Sequence, residues 1–155
     1  MLTVASNITT RNRKVADVLK PRVAESISSR AAERIKSERV EFLQSLAKQC
    51  VEAGADMLDI NLQARYDEPE VMKFAVETIQ DAADCQLCLS SNKADTLKTG
   101  LRACRRPPIV NYVSLDKEKL EETFPVAARY GAEVILLIAD PITPSSVEDF
   151  LKSAA

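Results

Sequence analysis

The sequence predicts an α/β protein in which parallel strands alternate with helices. Three observations favour this fold class. Short apolar runs alternate along the chain with longer segments that have helical spacing of apolar residues, and the apolar runs have no consistently polar face. One helix–strand unit also occurs twice. Strands that are apolar on both faces are typical of a parallel sheet covered by helices.

The elements follow one another in a regular order. The first strand is predicted at Leu2–Ile8, and a polar connection follows it. A long helix, Ser29–Glu52, shows near-helical spacing of apolar residues and ends at Gly54. The later strands are predicted at Met57–Leu62, Gln86–Leu89, Pro108–Val113 and Val134–Ala139, and the later helices at Glu68–Ala82, Ala94–Ala103, Lys117–Tyr130 and Ser145–Ser153.

The repeated unit gives the architecture. Residues 47–60 and 127–137 each read as the end of a helix, then glycine, alanine and an acidic residue, then an apolar strand. The order predicts five β/α units of a TIM-barrel type, whereas a closed barrel has eight and usually needs about 250 residues. With no linker-like shift in composition, residues 1–155 are predicted to form a single domain. The two open sheet edges predict completion by self-association, as a homo-oligomer, or by a companion subunit.

The charge and the hydropathy of the chain argue against two classes of binding partner, nucleic acid and membrane. The formal net charge is −2 and no basic run occurs, which argues against nucleic acid. No signal peptide and no run of about 18 apolar residues is evident, so we expect a cytoplasmic protein without a membrane span.

The four cysteines raise the alternative of a metal or redox site. Cys85 and Cys88 have the spacing of a zinc pair, but they flank a predicted strand, in which residues three apart point to opposite faces. The chain has no histidine and no second pair of this spacing. We therefore predict reduced thiols and no metal site.

Polar residues gather where the predicted strands end, which is where parallel α/β folds bind ligands. The candidates are Asp59 and Asn61, then Ser90 and Ser91, and finally Asn111. Each of these residue types is also common in turns and helix caps. Asp59 and Asn111 differ because each interrupts an apolar run, so a ligand or a structural network must satisfy them. A nucleophilic serine is not expected, since no histidine or other base accompanies it.

Three stretches carry a resemblance to a known family. Glu52–Asn61, Leu87–Ser91 and Pro108–Asn111 resemble consecutive strands of the pterin-binding (β/α)8 barrel proteins. The resemblance is strongest to the methyltetrahydrofolate:corrinoid/iron–sulfur protein methyltransferases, and it runs from about Phe42 to Ala139. It implies transfer of a methyl group from a tetrahydrofolate, or a related pterin, to the cobalt of a cobalamin carried by a partner corrinoid protein.

The resemblance also implies a set of site residues. Asp59, Asn61, Ser90, Ser91 and Asn111 occupy the pterin-binding positions, and Asn111 is in addition the candidate catalytic residue. A carboxylate suits such a site because it can accept hydrogen bonds side by side from a ring N–H and the exocyclic amino group.

Departures from the family pattern lower the expected activity. Ser90 stands where the family has a pterin-binding aspartate, which removes a charge-assisted contact of roughly 1.5–3 kcal/mol. Ala5–Thr9 replaces a charged glycine-glutamate-arginine-isoleucine-asparagine motif, and the later strands of the barrel are missing. We therefore expect an activity that is impaired or incomplete in this chain alone.

Three hypotheses remain open from the sequence. The chain is an enzyme or enzyme part of this methyltransferase family, or a non-catalytic binding or scaffolding relative, or a partial barrel without a ligand. All three predict that it does not exist as an isolated monomer.

Overall fold

The structure, a computed structural model, describes residues 2–21, 29–114 and 116–137. Strands and helices alternate along the chain, which confirms the predicted α/β class. The elements in order are β1 (Val4–Thr9), α1 (Arg13–Leu19), α2 (Ser29–Glu52), β2 (Met57–Asn61), α3 (Pro69–Gln80), β3 (Gln86–Ser90), α4 (Ala94–Ala103), β4 (Ile109–Ser114), α5 (Lys117–Arg129) and β5 (Glu133–Leu137).

The five strands form one parallel sheet in the order β1-β2-β3-β4-β5. Each connection therefore returns the chain to the neighbouring strand, as in consecutive units of a β/α barrel. The register between β2 and β3 sets Asp59 beside Cys88 and Asn61 beside Ser90. Leu89 lies beside Val110 of β4, so all three strands end at the same edge.

Apolar side chains of the strands and helices form the main core between the sheet and its covering helices. Neighbouring helices pack in sequence, α2 on α3, α3 on α4 and α4 on α5. This core explains the apolar residues of β2 and β3, which Asp59 alone interrupts between the first and last residues of the two strands. Its fully buried large side chains include Ile8, Leu19, Leu43, Leu58, Ile60, Met72, Ile79, Leu89 and Val110.

A short helix, α1, occupies part of the stretch predicted as a polar connection, so that prediction was wrong. The side chain of Asn12 accepts a hydrogen bond from the backbone N–H of Lys14 at 3.0 Å and caps the helix. Val15, Ala16 and Leu19 are buried in the core. Seven residues are too few for a helical period to stand out among basic neighbours.

Strand β5 has the apolar sequence that was predicted, but it lies at the edge of the sheet and is largely exposed. Ile135, Leu136 and Leu137 are 43%, 38% and 45% exposed. At the opposite edge, Val4 of β1 is 39% exposed. The predicted helix Ser145–Ser153 and the end of the predicted fifth strand lie outside the described residues. Both edges of the described sheet therefore present apolar surface.

The repeated unit has a common backbone geometry. Gly54 follows α2 with φ of 93° and Gly131 follows α5 with φ of 63°, and both values lie in the left-handed region that glycine adopts without strain. In each repeat the chain then enters the next strand two to three residues later.

Gly100 lets α4 approach α3 and β3 closely, and Gly100→Ala is expected to destabilise the fold by about 1–2 kcal/mol. A Cβ atom there would lie 2.6 Å from Met72 Cγ and 3.0 Å from Leu89 Cδ1. Overpacking of this kind costs roughly 1–3 kcal/mol, more than the gain of about 1 kcal/mol in helix propensity. Urea unfolding measures the change, with the exposed Lys98→Ala in the same helix as control. A more stable Gly100→Ala variant would contradict this packing.

Within the described ranges, no helix is long and apolar enough to cross a membrane.

Candidate functional site

A cavity of about 650 Å³ opens at the carboxyl ends of the strands. It is the place where ligands bind in parallel α/β folds. Side chains from four of the five strands and from the loops after them line it. They include Ser6, Thr9, Arg11, Asp59, Asn61, Gln63, Ser91, Asn92, Val113, Lys119, Glu122 and Leu137.

Asp59 is a buried carboxyl group in the wall of this cavity. It lies in the middle of β2 and is only 1% exposed. The Ser90 hydroxyl, itself fully buried, donates a hydrogen bond to Asp59 Oδ1 at 2.8 Å. The second oxygen, Oδ2, is buried without a hydrogen-bond partner among the described residues. One acceptor of the buried carboxyl group is therefore unsatisfied.

Burial raises the pKa of Asp59 above its usual range, because desolvation disfavours the charged form. The Ser90 hydroxyl opposes this shift, followed by the side-chain amides of Asn111 and Asn61. Three of the five predicted site residues thus act on the carboxyl group of a fourth, Asp59. Asn111, half-buried on β4, belongs to this group although it is distant in sequence.

Asn61 also serves the local backbone. Its Oδ1 accepts a hydrogen bond from the N–H of Gln63 at 3.1 Å, which shapes the turn after β2. Its carbonyl oxygen accepts from the N–H of Thr10 at 2.9 Å and so joins the ends of β1 and β2. Asn61 therefore holds the cavity wall as well as lining it.

Ser91, the fifth predicted residue, is held by a residue that the sequence reasoning missed. Its hydroxyl donates to Asp67 Oδ1 and accepts from the N–H of Lys93 at 3.0 Å. Asp67 Oδ2 in turn accepts from the N–H of Asn92 at 2.8 Å. Asp67 thus ties the loop after β2 to the loop after β3. The available signal was an acidic residue two positions before Pro69, the first residue of α3.

Asp67→Asn is expected to loosen the loop after β3. Both carboxylate oxygens of Asp67 accept hydrogen bonds, whereas an asparagine offers one acceptor and turns an N–H₂ toward the other donor. We expect amide hydrogen exchange at Asn92 to become about 10-fold faster or more, as for loss of one charge-assisted bond. Asp95→Asn, an exposed acidic residue in α4, is the control. Unchanged exchange at Asn92 in Asp67→Asn would contradict the role of Asp67.

The cysteines are all free thiols. Burial, together with the neighbouring Asp59, raises the pKa of Cys88 to about 12, and burial raises that of Cys104 to about 12. These thiols are therefore protonated and unreactive at neutral pH. The described residues contain no cluster of three potential metal ligands.

The fold and the cavity define a β/α protein with a polar site, centred on a buried carboxyl group, at the ends of its parallel strands. A model of the family described as pterin binding enzyme matches residues 26–153, which is most of the chain. The chain belongs to this family, and the resemblance inferred from the three strands is confirmed.

One curated protein of known activity is similar to part of the chain. The chain is similar to the methylcorrinoid:tetrahydrofolate methyltransferase of Eubacterium limosum, with 29% identity over 86 residues. The matched stretch covers 55% of this chain and 32% of the relative. The chain thus spans about a third of the length of the curated relative that it matches.

Proposed function

We propose that this chain binds the pterin ring of a tetrahydrofolate, or of a related pterin, at the ends of β2, β3 and β4. The observation that carries the proposal is the buried Asp59, which lines the cavity and keeps Oδ2 without a partner. A buried acceptor of this kind is costly in the empty protein, and a ligand with N–H donors satisfies it.

The chemistry of the pterin ring suits this arrangement. The ring N–H and the exocyclic amino group lie side by side and can donate to the two oxygens of one carboxylate. Oδ1 accepts from the Ser90 hydroxyl, and Oδ2 has no hydrogen-bond partner among the described residues. In this proposal Asp59 is the main pterin contact, Asn61 and Ser91 line the cavity beside it, and the fully buried Ser90 positions Asp59 through its hydroxyl.

Asn111 is the proposed catalytic residue. Its side-chain amide lies beside Asp59 and can donate a hydrogen bond to a ring nitrogen. When the nitrogen–methyl bond breaks, the nitrogen would keep the electron pair and take up a proton from solvent, and the hydrogen bond from Asn111 would stabilise the negative charge that develops. The corrinoid cobalt on a partner protein would supply the methyl acceptor.

The direction of transfer does not change these roles. The relative's name gives a methylcorrinoid as donor and tetrahydrofolate as acceptor, the reverse of the direction expected from the sequence. A site that holds the reduced pterin with one nitrogen facing the mouth serves transfer both ways. The second candidate is a non-catalytic binding relative, which the replacement of the family aspartate by Ser90 favours.

Completion of the site by another chain is part of the proposal. In the sheet that the described residues form, β1 and β5 are the two edge strands and both expose apolar residues, and proteins cover or pair such edges. We expect a homo-oligomer or a complex with a companion subunit. Light scattering after size-exclusion chromatography tests the first, and a monodisperse monomer at micromolar concentration would exclude it.

Calorimetric titration of the chain with methyltetrahydrofolate tests pterin binding, and a methyl-transfer assay with reduced cobalamin tests catalysis. The proposal expects binding by the unaltered chain that Asn111→Ala weakens by about 5-fold or more, as for loss of one hydrogen bond. The matched control is Asn7→Ala, which removes an exposed asparagine whose side-chain amide contacts Cys50 of α2 and not Asp59. Binding without transfer would favour the non-catalytic relative, and no binding would exclude both.

A further inference from the structure

We infer that the mouth of the cavity binds an anionic group at the solvent end of the ligand, and that Arg11 is the residue that binds it. The inference rests on the proposed pterin site and names the chemistry of the ligand's other end. For a folate, that end is the glutamyl tail with its carboxylates. Arg11 and Lys119 are cations that line the same cavity as Asp59.

The two cations lie on opposite sides of the buried carboxyl group. Arg11 follows β1, and its backbone N–H donates to Thr9 Oγ1 at 3.3 Å. Lys119 is in the first turn of α5, which follows β4. Strands β2 and β3, which carry Asp59 and Ser90, lie between β1 and β4 in the sheet. A ligand that extends from Asp59 to solvent therefore leaves the cavity between these cations.

Arg11 has the more available charge. Within residues 2–21, 29–114 and 116–137, its guanidinium has no hydrogen bond or ion pair. Lys119 is already engaged, since its Nζ donates to the carbonyl of Asn92 at 3.2 Å and lies 3.6 Å from Glu122 Oε2. Glu122 also lines the cavity and offsets the charge of Lys119. The positive potential at the mouth thus comes mainly from Arg11.

The chemistry of arginine favours a carboxylate over other ligand groups. The planar guanidinium presents parallel N–H donors that match the two oxygens of a carboxylate. At the buried end of the cavity, Asp59 favours the opposite kind of ligand group. It accepts hydrogen bonds and disfavours a second anion nearby. The base of the site therefore accepts hydrogen bonds, and its mouth carries a positive charge.

The test compares methyltetrahydrofolate with its diamide, in which both tail carboxylates are converted to amides. For the full chain at low salt, we expect the carboxylate form to bind about two- to five-fold more tightly, as for an exposed ion pair. Arg11→Gln is expected to remove this preference while leaving the affinity for the diamide unchanged. Added salt is expected to reduce the preference in the unaltered chain.

Arg13→Gln is the matched control, because Arg13 is an exposed arginine two residues away that does not line the cavity. It should keep the preference for the carboxylate form. Equal affinity of the unaltered chain for the two ligands would overturn the inference and leave the pterin site intact. An equal loss of preference in Arg13→Gln would also overturn it, by showing a general effect of charge. Absence of binding by both ligands would overturn the pterin site and this inference together.

Discussion

Ser90→Asp is expected to bind methyltetrahydrofolate about 10- to 100-fold more tightly than the unaltered chain. Ser90 is fully buried at the end of β3, and its short side chain donates its single proton to Asp59. An aspartate there adds a second carboxylate within the same wall, and charge-assisted hydrogen bonds to the pterin contribute roughly 1.5–3 kcal/mol. Isothermal titration calorimetry measures the change directly.

Ser90→Asn separates charge from size in this experiment. Asparagine has nearly the shape of aspartate but carries no charge and offers one acceptor oxygen, so we expect at most a few-fold change in affinity. The aspartate variant should also be less stable at neutral pH, since two adjacent buried carboxyl groups cannot both ionise cheaply. If aspartate and asparagine bind the pterin equally, residue 90 does not contact the ligand through its charge.

Asp59→Asn is expected to weaken pterin binding by about 10- to 100-fold. The amide keeps the size of the side chain and can still accept from Ser90, but it turns an N–H₂ toward the ligand where Oδ2 was free to accept. The same calorimetric titration gives the affinity. Asp56→Asn provides the control, as an exposed acidic residue just before β2 that does not line the cavity. Equal affinities of Asp59→Asn and the unaltered chain would remove Asp59 from the site.

The raised pKa of Asp59 gives this variant a characteristic pH dependence. Because the folded protein holds the Asp59 proton more tightly than the unfolded chain, the contribution of Asp59 to stability is present below the unfolded pKa near 3.8. It is lost as pH rises through the folded pKa. The Cys88 thiol beside it, with a pKa of about 12, does not titrate in this range.

The stability difference between Asp59→Asn and the unaltered chain should therefore shift in favour of the variant as pH rises from 4 to 7. Urea unfolding of both proteins at the two pH values measures it. A difference that stays constant, or that moves against the variant, would show that burial does not raise the pKa of Asp59.

The middle of the sheet could be predicted closely from the sequence, for physical reasons. Strands β2, β3 and β4 are short and mostly apolar and buried, with Gly54 before β2 and a pair of prolines before β4. Their parallel arrangement follows from the helices between them. Since parallel strands end at one edge, the sequence also predicted that Asp59, Ser90 and Asn111 lie together.

Other features depend on contacts that no local pattern contains. Helix α1 is stabilised by burial of three residues, and it is too short to show an extended helical repeat of apolar residues in the sequence. The exposure of β5 depends on what lies beyond the edge of the sheet, whereas its sequence reads as the most apolar strand. Asp67 acts on Ser91 across 24 positions, and a turn aspartate in sequence gives no indication of its partner.

The hydrogen bond between Ser90 and Asp59 also depends on contacts that no local sequence pattern contains. The sequence showed Ser90 at the position where the family has an aspartate. It did not predict the hydrogen bond from the Ser90 hydroxyl to Asp59 Oδ1. That bond depends on the register that sets Asn61 beside Ser90 and on one side-chain rotamer. Oδ1 accepts this hydrogen bond, whereas Oδ2 has no partner among the described residues, and this difference is the basis of the proposed pterin site.

Nuclear magnetic resonance of the side-chain amides tests the central proposal most directly, because it detects even the weak binding expected with Ser90 in place. Methyltetrahydrofolate is titrated into the ¹⁵N-labelled chain, and the side-chain N–H₂ signals of Asn61 and Asn111 are followed. We expect both to shift in a saturable manner, while that of Gln80, which bonds the Ala103 carbonyl away from the cavity, remains in place. Unchanged signals of Asn61 and Asn111 at saturating ligand would contradict a pterin site at the ends of β2, β3 and β4.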